Sequence, residues 1–302
     1  MSEADPVLAS DQALGFTIPG RHARGRMVRL AATLDTILAN HAYPPVLERL
    51  LGEALALTAL LGSLLKDPGG QLTLQAQTEN GIVDLLVCDY LGGALRGYVR
   101  HDPDRLAEAG PDPNLFALFG KGYLAITFDQ PASDERYQGI VPLEGNGLGE
   151  AAQSYFSQSE QIPSLVRLAA ARDGDGWVAG GLMLQHLPEG EEGRERLHTR
   201  LDHPEWPHLA ILGGSVKDSE LLDRELALDQ LVWRLFHEEP EVRVFDPVPL
   251  ARGCRCDPDY VRSVIARFPA EERAAMVGPD GLIRVDCAFC ATDFPIRPDE
   301  LD

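Results

Sequence analysis

The chain has 302 residues, 44% of them apolar, which is enough for a substantial core and, at this length, for a main domain with smaller appendages. It carries 47 acidic against 27 basic residues, a formal net charge of −20, and a surface of that sign repels phosphate backbones, which argues against nucleic acid as a partner of the whole chain. The opening stretch MSEADPVLASDQALGF has no basic run leading into an apolar one, so no secretory signal is expected, the cytoplasm is the expected compartment, and cysteines there stay reduced.

Residues 26–65 read as two helices. Met27, Leu30, Leu34, Ile37 and Leu38 recur at helical spacing, and Pro44–Pro45 break the pattern before a second apolar helix. That second helix, from Leu50 to Leu65, is too short to span a bilayer and carries Glu53, so a buried helix is expected and no membrane partner. From Gln71 the period changes to two, with Leu72, Leu74 and Ala76 alternating with polar residues, the pattern of a half-buried strand. Asn80–Gly81 marks a hairpin into residues 82–87, and Gly92–Gly93 turn into a third strand near 95–99. Further strands are expected at 121–128, 137–143, 166–170 and 178–185, the last two joined by the turn at 173–176, and a helix is expected to start near Gly149. The fold class expected is α+β: an antiparallel-sheet domain with helices over 1–185, then a helical linker over 186–246 and a small cysteine-bearing module over 247–302.

The linker opens as HLPEGEEGRERLHTRLDHPEWP, highly charged and broken by Gly and Pro. Glu189, Glu191, Glu192 and Glu195 form an acidic run, and His186, His198, His203 and His208 are expected to be solvated there rather than to bind a second metal. Residues 217–239 then read as one amphipathic helix, with Leu221, Leu222, Leu228, Leu231, Val232 and Leu235 on its apolar face. Gly145, Gly147 and Gly149 before a helix are read as shaping a loop rather than an anion site, and no P-loop pattern is present. Ser159-Glu160-Gln161 sits at a helix end with no partner base designated, so helix termination is expected and no catalytic role.

Of five cysteines, Cys88 lies in the apolar run IVDLLVCDY and is expected to be a small buried hydrophobe. The other four form Cys254-Arg-Cys256 and Cys287-Ala-Phe-Cys290, with 30 residues between. Two close pairs across a spacer can wrap four thiolates around one tetrahedral Zn2+. Four sulfur ligands leave no open coordination position, which argues against a hydrolytic zinc. The plainest role is a structural knuckle. The same atoms also allow redox chemistry, because zinc-bound thiolates remain oxidisable and oxidation would release the metal. A thiol–disulfide oxidoreductase using Cys287 and Cys290 would need that pair at the start of a helix, and Thr292 to Pro295 follow too closely for one. A zinc-ribbon nucleic-acid binder would need a basic face, whereas residues 251–302 contain seven Arg and ten Asp plus Glu.

With its CxC and CxxC pairs, the segment Tyr137-Gln-Gly-Ile-Val-Pro-Leu and the segment Tyr155-Phe-Ser-Gln-Ser-Glu-Gln-Ile-Pro-Ser in that order, the chain resembles the redox-regulated 33 kDa chaperonin (heat shock protein 33) family over nearly its whole length. The resemblance implies an ATP-independent holdase, not an enzyme, that is inactive when reduced and zinc-bound. It implies that oxidation forms the disulfides Cys254–Cys256 and Cys287–Cys290, releases one zinc, unfolds the module and linker, and converts a monomer into a homodimer that binds unfolding client proteins. One local departure from the family pattern is Pro295, where the family more often continues as a strand.

Overall fold

Two strands open the fold in the computed structural model, which describes residues 11–67, 69–110, 113–131, 135–174, 176–187 and 204–301. Strands β1 (Gln12–Ile18) and β2 (Ala23–Leu30) pair antiparallel, where the apolar spacing predicts a helix from residue 26. Met27 is buried on one face of β2, and Val28 and Leu30 on the other. A strand covered on both faces loses its alternation, so its apolar residues imitate helical spacing. Helices α1 (Ala32–Leu38) and α2 (Pro45–Gly62) follow, with proline at the first turn of α2, where its missing N–H costs nothing. Every residue from Ala54 to Gly62 is buried, so α2 must be covered all round.

That cover comes from two sheets. Strands β3 (Gln71–Gln77), β4 (Val83–Leu91) and β5 (Ala94–His101) follow as expected, the first two joined through Asn80–Gly81. Beyond helices α3 (Pro103–Glu108) and α4 (Leu115–Phe119), β6 (Tyr123–Gln130) pairs with β3, and β7 (Glu135–Pro142) forms the edge of this second sheet. Helix α5 (Leu148–Tyr155) leads to the hairpin β8 (Ser164–Asp173) and β9 (Gly176–His186), and β9 pairs with β2 to complete the first sheet. Helix α2 lies between the sheets. A side chain at Gly97 of β5 would come within 2.8 Å of Cys88 Sγ and 3.0 Å of Leu51. The motif segments at 137–143 and 155–164 meet in the core: Tyr155 is fully buried, and a Cβ at Gly139 would stand 2.1 Å from its ring.

The chain from residue 204 onward wraps this domain. Helices α6 (Trp206–Gly214), α7 (Asp218–Leu221) and α8 (Leu228–Phe236) lie on the outer face of the first sheet. The single helix expected over 217–239 is therefore broken at 222–227. Arg29 of β2 explains the break: its guanidinium donates to the carbonyls of Glu220 (3.1 Å), Leu221 (3.0 Å) and Leu226, tying off the first turn. His186 departs from expectation, buried at the end of β9, whereas His208 is exposed as expected and bonded to the buried Glu239 at 2.7 Å. His198, His203 and the acidic run from Glu189 to Glu195 lie outside the described residues.

Three short strands then stitch the chain back. Strands β10 (Arg243–Val244) and β11 (Val248–Pro249) pair with β1, and β12 (Ala251–Arg252) pairs with β5 as the one parallel neighbour in a sheet read from sequence as antiparallel. The C-terminal module has helices α9 (Pro258–Ile265) and α10 (Ala270–Ala275) and a ribbon of β13 (Ile283–Asp286) and β14 (Asp293–Ile296). Pro295 sits within β14, and a two-stranded ribbon tolerates it because each strand is an edge. Among the described residues, no helix is long and apolar enough to cross a membrane.

Candidate metal centre

The first cysteine pair follows β12. Beyond Arg252 the chain leaves regular structure, so Cys254 and Cys256 lie on an irregular loop instead of alternating across a strand. Asp257 then caps α9 by accepting the Asp259 N–H at 2.9 Å, which ends the loop directly after the second cysteine. The second pair sits in the turn between β13 and β14. The N–H groups of Cys290 (3.2 Å) and Ala291 (2.8 Å) donate to the Cys287 carbonyl, and Cys287 N–H donates to the Thr292 carbonyl at 2.9 Å. Ala291 takes φ 52°, the left-handed conformation that closes this knuckle.

Folding brings all four sulfur atoms within 4.8 Å of one another. The shortest contacts join the two pairs: Cys254 to Cys287 at 3.7 Å and Cys256 to Cys290 at 3.6 Å. A tetrahedron with metal–sulfur bonds of about 2.3 Å has edges of roughly 3.8 Å, so the spacing fits one Zn2+-sized ion. The sequence-predicted ligands thus converge on one point that can hold a metal. Cys88 stays apart, fully buried beneath α2, and burial pushes its thiol well above the usual range.

The electrostatics of the cluster favour a cation. Burial, then the neighbouring Cys254 and Cys290, push the Cys256 thiol up to about 12, and burial also raises Cys287. Burial disfavours the Cys290 thiolate too, but the Thr292 hydroxyl 3.1 Å away, the Thr292 backbone and the Cys254 and Cys287 thiols together outweigh it and bring this thiol down to about 6. Four thiols this close cannot all ionise without a positive charge among them, which a soft divalent ion supplies.

The module around the cluster has little core of its own: Ile265, Ile283, Ile296 and Leu301 are buried together, with Val261, Val277 and Val285 packed alongside. Several polar residues that organise this region are silent in the sequence. Asp89 of β4, 4% exposed, accepts from Arg96 (2.6 Å) and from Arg255 (3.1 Å), and His41 Nε2 lies 3.3 Å from the Phe289 carbonyl. Charged residues inside apolar strands were the available signal, in Asp89 of VCDYL and Arg29 of MVRLAA. At the sites given structural readings, Glu160 accepts the Tyr155 hydroxyl at 2.9 Å, and Glu150 takes up the Asn146 N–H at the start of α5. After Cys290 the chain passes into β14 rather than a helix, unlike the arrangement a CxxC oxidoreductase needs.

A family model described as Hsp33 protein matches residues 11–297. The chain is 40% identical over 302 residues to the 33 kDa chaperonin of Caulobacter vibrioides, covering 97% of both chains. It is 34% identical to the 33 kDa chaperonin of Pseudoalteromonas atlantica, covering 98% of this chain and 94% of that one. Among solved structures, the 33 kDa chaperonin (heat shock protein 33 homologue) of Thermotoga maritima superposes with a TM-score of 0.76 at 22% identity over 96% of each chain, a likeness of fold.

Proposed function

The chain belongs to the Hsp33 family, and from that premise we propose that it is an ATP-independent holdase switched on by oxidation at Cys254, Cys256, Cys287 and Cys290. The observation that carries the reading is the gathering of all four thiols at one metal-sized point beside a small apolar cluster of four buried side chains, Ile265, Ile283, Ile296 and Leu301, among the described residues. In the reduced state the four thiolates hold one Zn2+, which lends the module the stability its core lacks. A two-electron oxidant such as peroxide or hypochlorous acid takes two electrons from each pair. Cys254–Cys256 and Cys287–Cys290 then close as disulfides, the ligands are lost, and the metal leaves.

What opening would release is suggested by the linker, residues 186–246 in the proposed division. On the first sheet Leu14, Phe16, Ile18, Met27, Leu182 and Leu184 form an apolar face, and Leu209, Leu221, Leu228, Leu231, Val232 and Phe236 of the linker cover it. An uncovered face of that composition binds the apolar segments of unfolding proteins without nucleotide. The 1–185 domain would then be the client-binding body, and the exposed surface would favour association into a homodimer from a reduced monomer. The cytoplasm is the proposed compartment.

The test couples three readings before and after peroxide: zinc in solution, aggregation of an unfolding client, and binding of a hydrophobic dye. One zinc per chain leaving as aggregation is suppressed and dye binding rises is the expected result. Zinc that stays bound, or leaves with no gain in holdase activity, would make the centre purely structural. Mass mapping of the oxidised protein decides the pairing, since the shortest contacts run between the two pairs rather than within them.

A further inference from the structure

The residues enclosed by each cysteine pair point away from the sulfur cluster and meet the same place on the second sheet. Arg255, between Cys254 and Cys256, donates from Nη2 to Asp89 Oδ2 at 3.1 Å. Its Nη1 is buried without a partner, so Asp89 supplies most of its compensation. Phe289, between Cys287 and Cys290, lies edge-on to the Tyr98 ring, 4.9 Å between centroids, with the Arg96 guanidinium 3.9 Å over its face. Arg96 itself forks onto Asp89, and Thr73 donates to the other carboxylate oxygen at 2.8 Å. Asp89, Arg96 and Tyr98 belong to β4 and β5 and stand on the face turned away from α2.

We propose that Arg255 and Phe289 are the grip by which the metal module docks on the second sheet, so that the geometry of the cysteine centre sets the docking directly. A metal held by the four cysteines would fix the two loops in the relative position at which a guanidinium from one and a ring from the other reach the Asp89–Arg96 pair together. Closing either cysteine pair on itself redraws the loop that carries its grip residue. These are positioning residues: they hold no metal and touch no client. Their part in switching rests on the oxidation-activated reading above; the grip itself does not.

The experiment uses the full-length, reduced, zinc-loaded protein without oxidant or client, so it reports on the grip whatever the holdase assay finds. Four variants are compared, Arg255→Ala and Phe289→Ala on the module and Asp89→Asn and Tyr98→Ala on the sheet. Zinc content is measured beside amide hydrogen exchange of residues 94–101 and 251–301. The expected result is one zinc per chain with exchange in both segments faster by about tenfold, the size of a lost buried cation–π contact or ion pair. Arg255→Ala combined with Asp89→Asn should add little to Asp89→Asn alone, because the Arg255 contact is one of those that Asp89→Asn already removes. On peroxide treatment the same variants should lose zinc severalfold faster. Full zinc with unchanged exchange in the sheet-side variants overturns the proposal. Loss of zinc in Arg255→Ala or Phe289→Ala with unchanged exchange in both sheet-side variants also overturns it, since those side chains would then merely support the ligands.

Discussion

The linker helices and the cysteine module both lie over an outer sheet face, but opposite chemistry holds them. The linker is docked by apolar area, with Phe236 against Phe16 at 5.5 Å between centroids and Leu231, Val232 and Leu209 fully enclosed. Its polar contacts surround that face: Arg29 on three linker carbonyls, Glu239 between Arg21 and His208, and the more exposed pairs Arg167–Asp218 and Arg224–Asp173. The module has few enclosed side chains and docks through the Phe289 ring and carbonyl, the Arg255–Asp89 ion pair and the short strands β11 and β12. Under the proposed function the contrast separates sensing from masking: apolar docking is insensitive to redox state, whereas a module held by four thiolates would fail once they were oxidised.

Removing the metal is the largest perturbation and strikes only one side of this comparison. A structural zinc supplies on the order of 10–16 kcal/mol. Cys287→Ser should therefore weaken zinc binding and strip amide protection from residues 257–301 without oxidant, while α2 and its flanking strands stay protected. Tight zinc retention at full stoichiometry by this variant would sink the four-ligand centre. On the other side, Phe236→Ala should cost about 3–5 kcal/mol of linker docking. The reduced, zinc-loaded variant should then bind a hydrophobic dye and suppress aggregation with its metal still in place. Dye binding no higher than wild type would mean that apolar docking does not mask the first sheet.

How legible each region was follows from where its information lies. The ligands can be read because they come as local pairs, Cys254 with Cys256 and Cys287 with Cys290, whose spacing already encodes a metal knuckle. Strand β3 can be read because burial alternates along it and the sequence alternates with it. Strand β2 cannot, since Met27 and Val28 are buried on opposite faces. The break in the helix expected over 217–239 is invisible for another reason: its cause, Arg29, lies nearly two hundred residues away. The same holds for Asp89 and Arg255. A guanidinium between two cysteines states its charge, and only the fold states what it faces.

Glu53 sharpens the comparison through pH. It lines a cavity of about 410 Å³ with Arg49 and Asn146 of the domain and Asp218 and Leu222 of the linker. Burial raises its carboxyl to about 7, opposed by the Arg49 charge and reinforced by Asp218. A carboxyl raised in the folded state binds protons that the unfolded chain has released, so its contribution is full below about pH 4.5 and is lost as pH rises towards 7. Glu53→Gln should remove that slope and add up to about 3 kcal/mol at pH 8, read from urea midpoints at pH 5 and pH 8. The module should be untouched, with the variant matching the zinc affinity of wild type at each pH, since both share the same cysteine protonation. An equal slope in wild type and variant would locate the pH dependence elsewhere.

The smallest effect is expected at Cys88, which belongs to neither docked region. Its sulfur is enclosed by α2 and β5 in the middle of the molecule, and its raised thiol pKa leaves almost no thiolate for an oxidant to attack. Cys88→Ser exchanges a thiol for a more polar hydroxyl in that core, a cost of about 1–2 kcal/mol in overall stability. Zinc stoichiometry, the rate of zinc release by peroxide and the dye response should match wild type, because the sensing thiols sit on the far side of the second sheet. A slowed or abolished response would show that redox sensing reaches into the core, and the division between a sensing module and an apolar mask would fail with it.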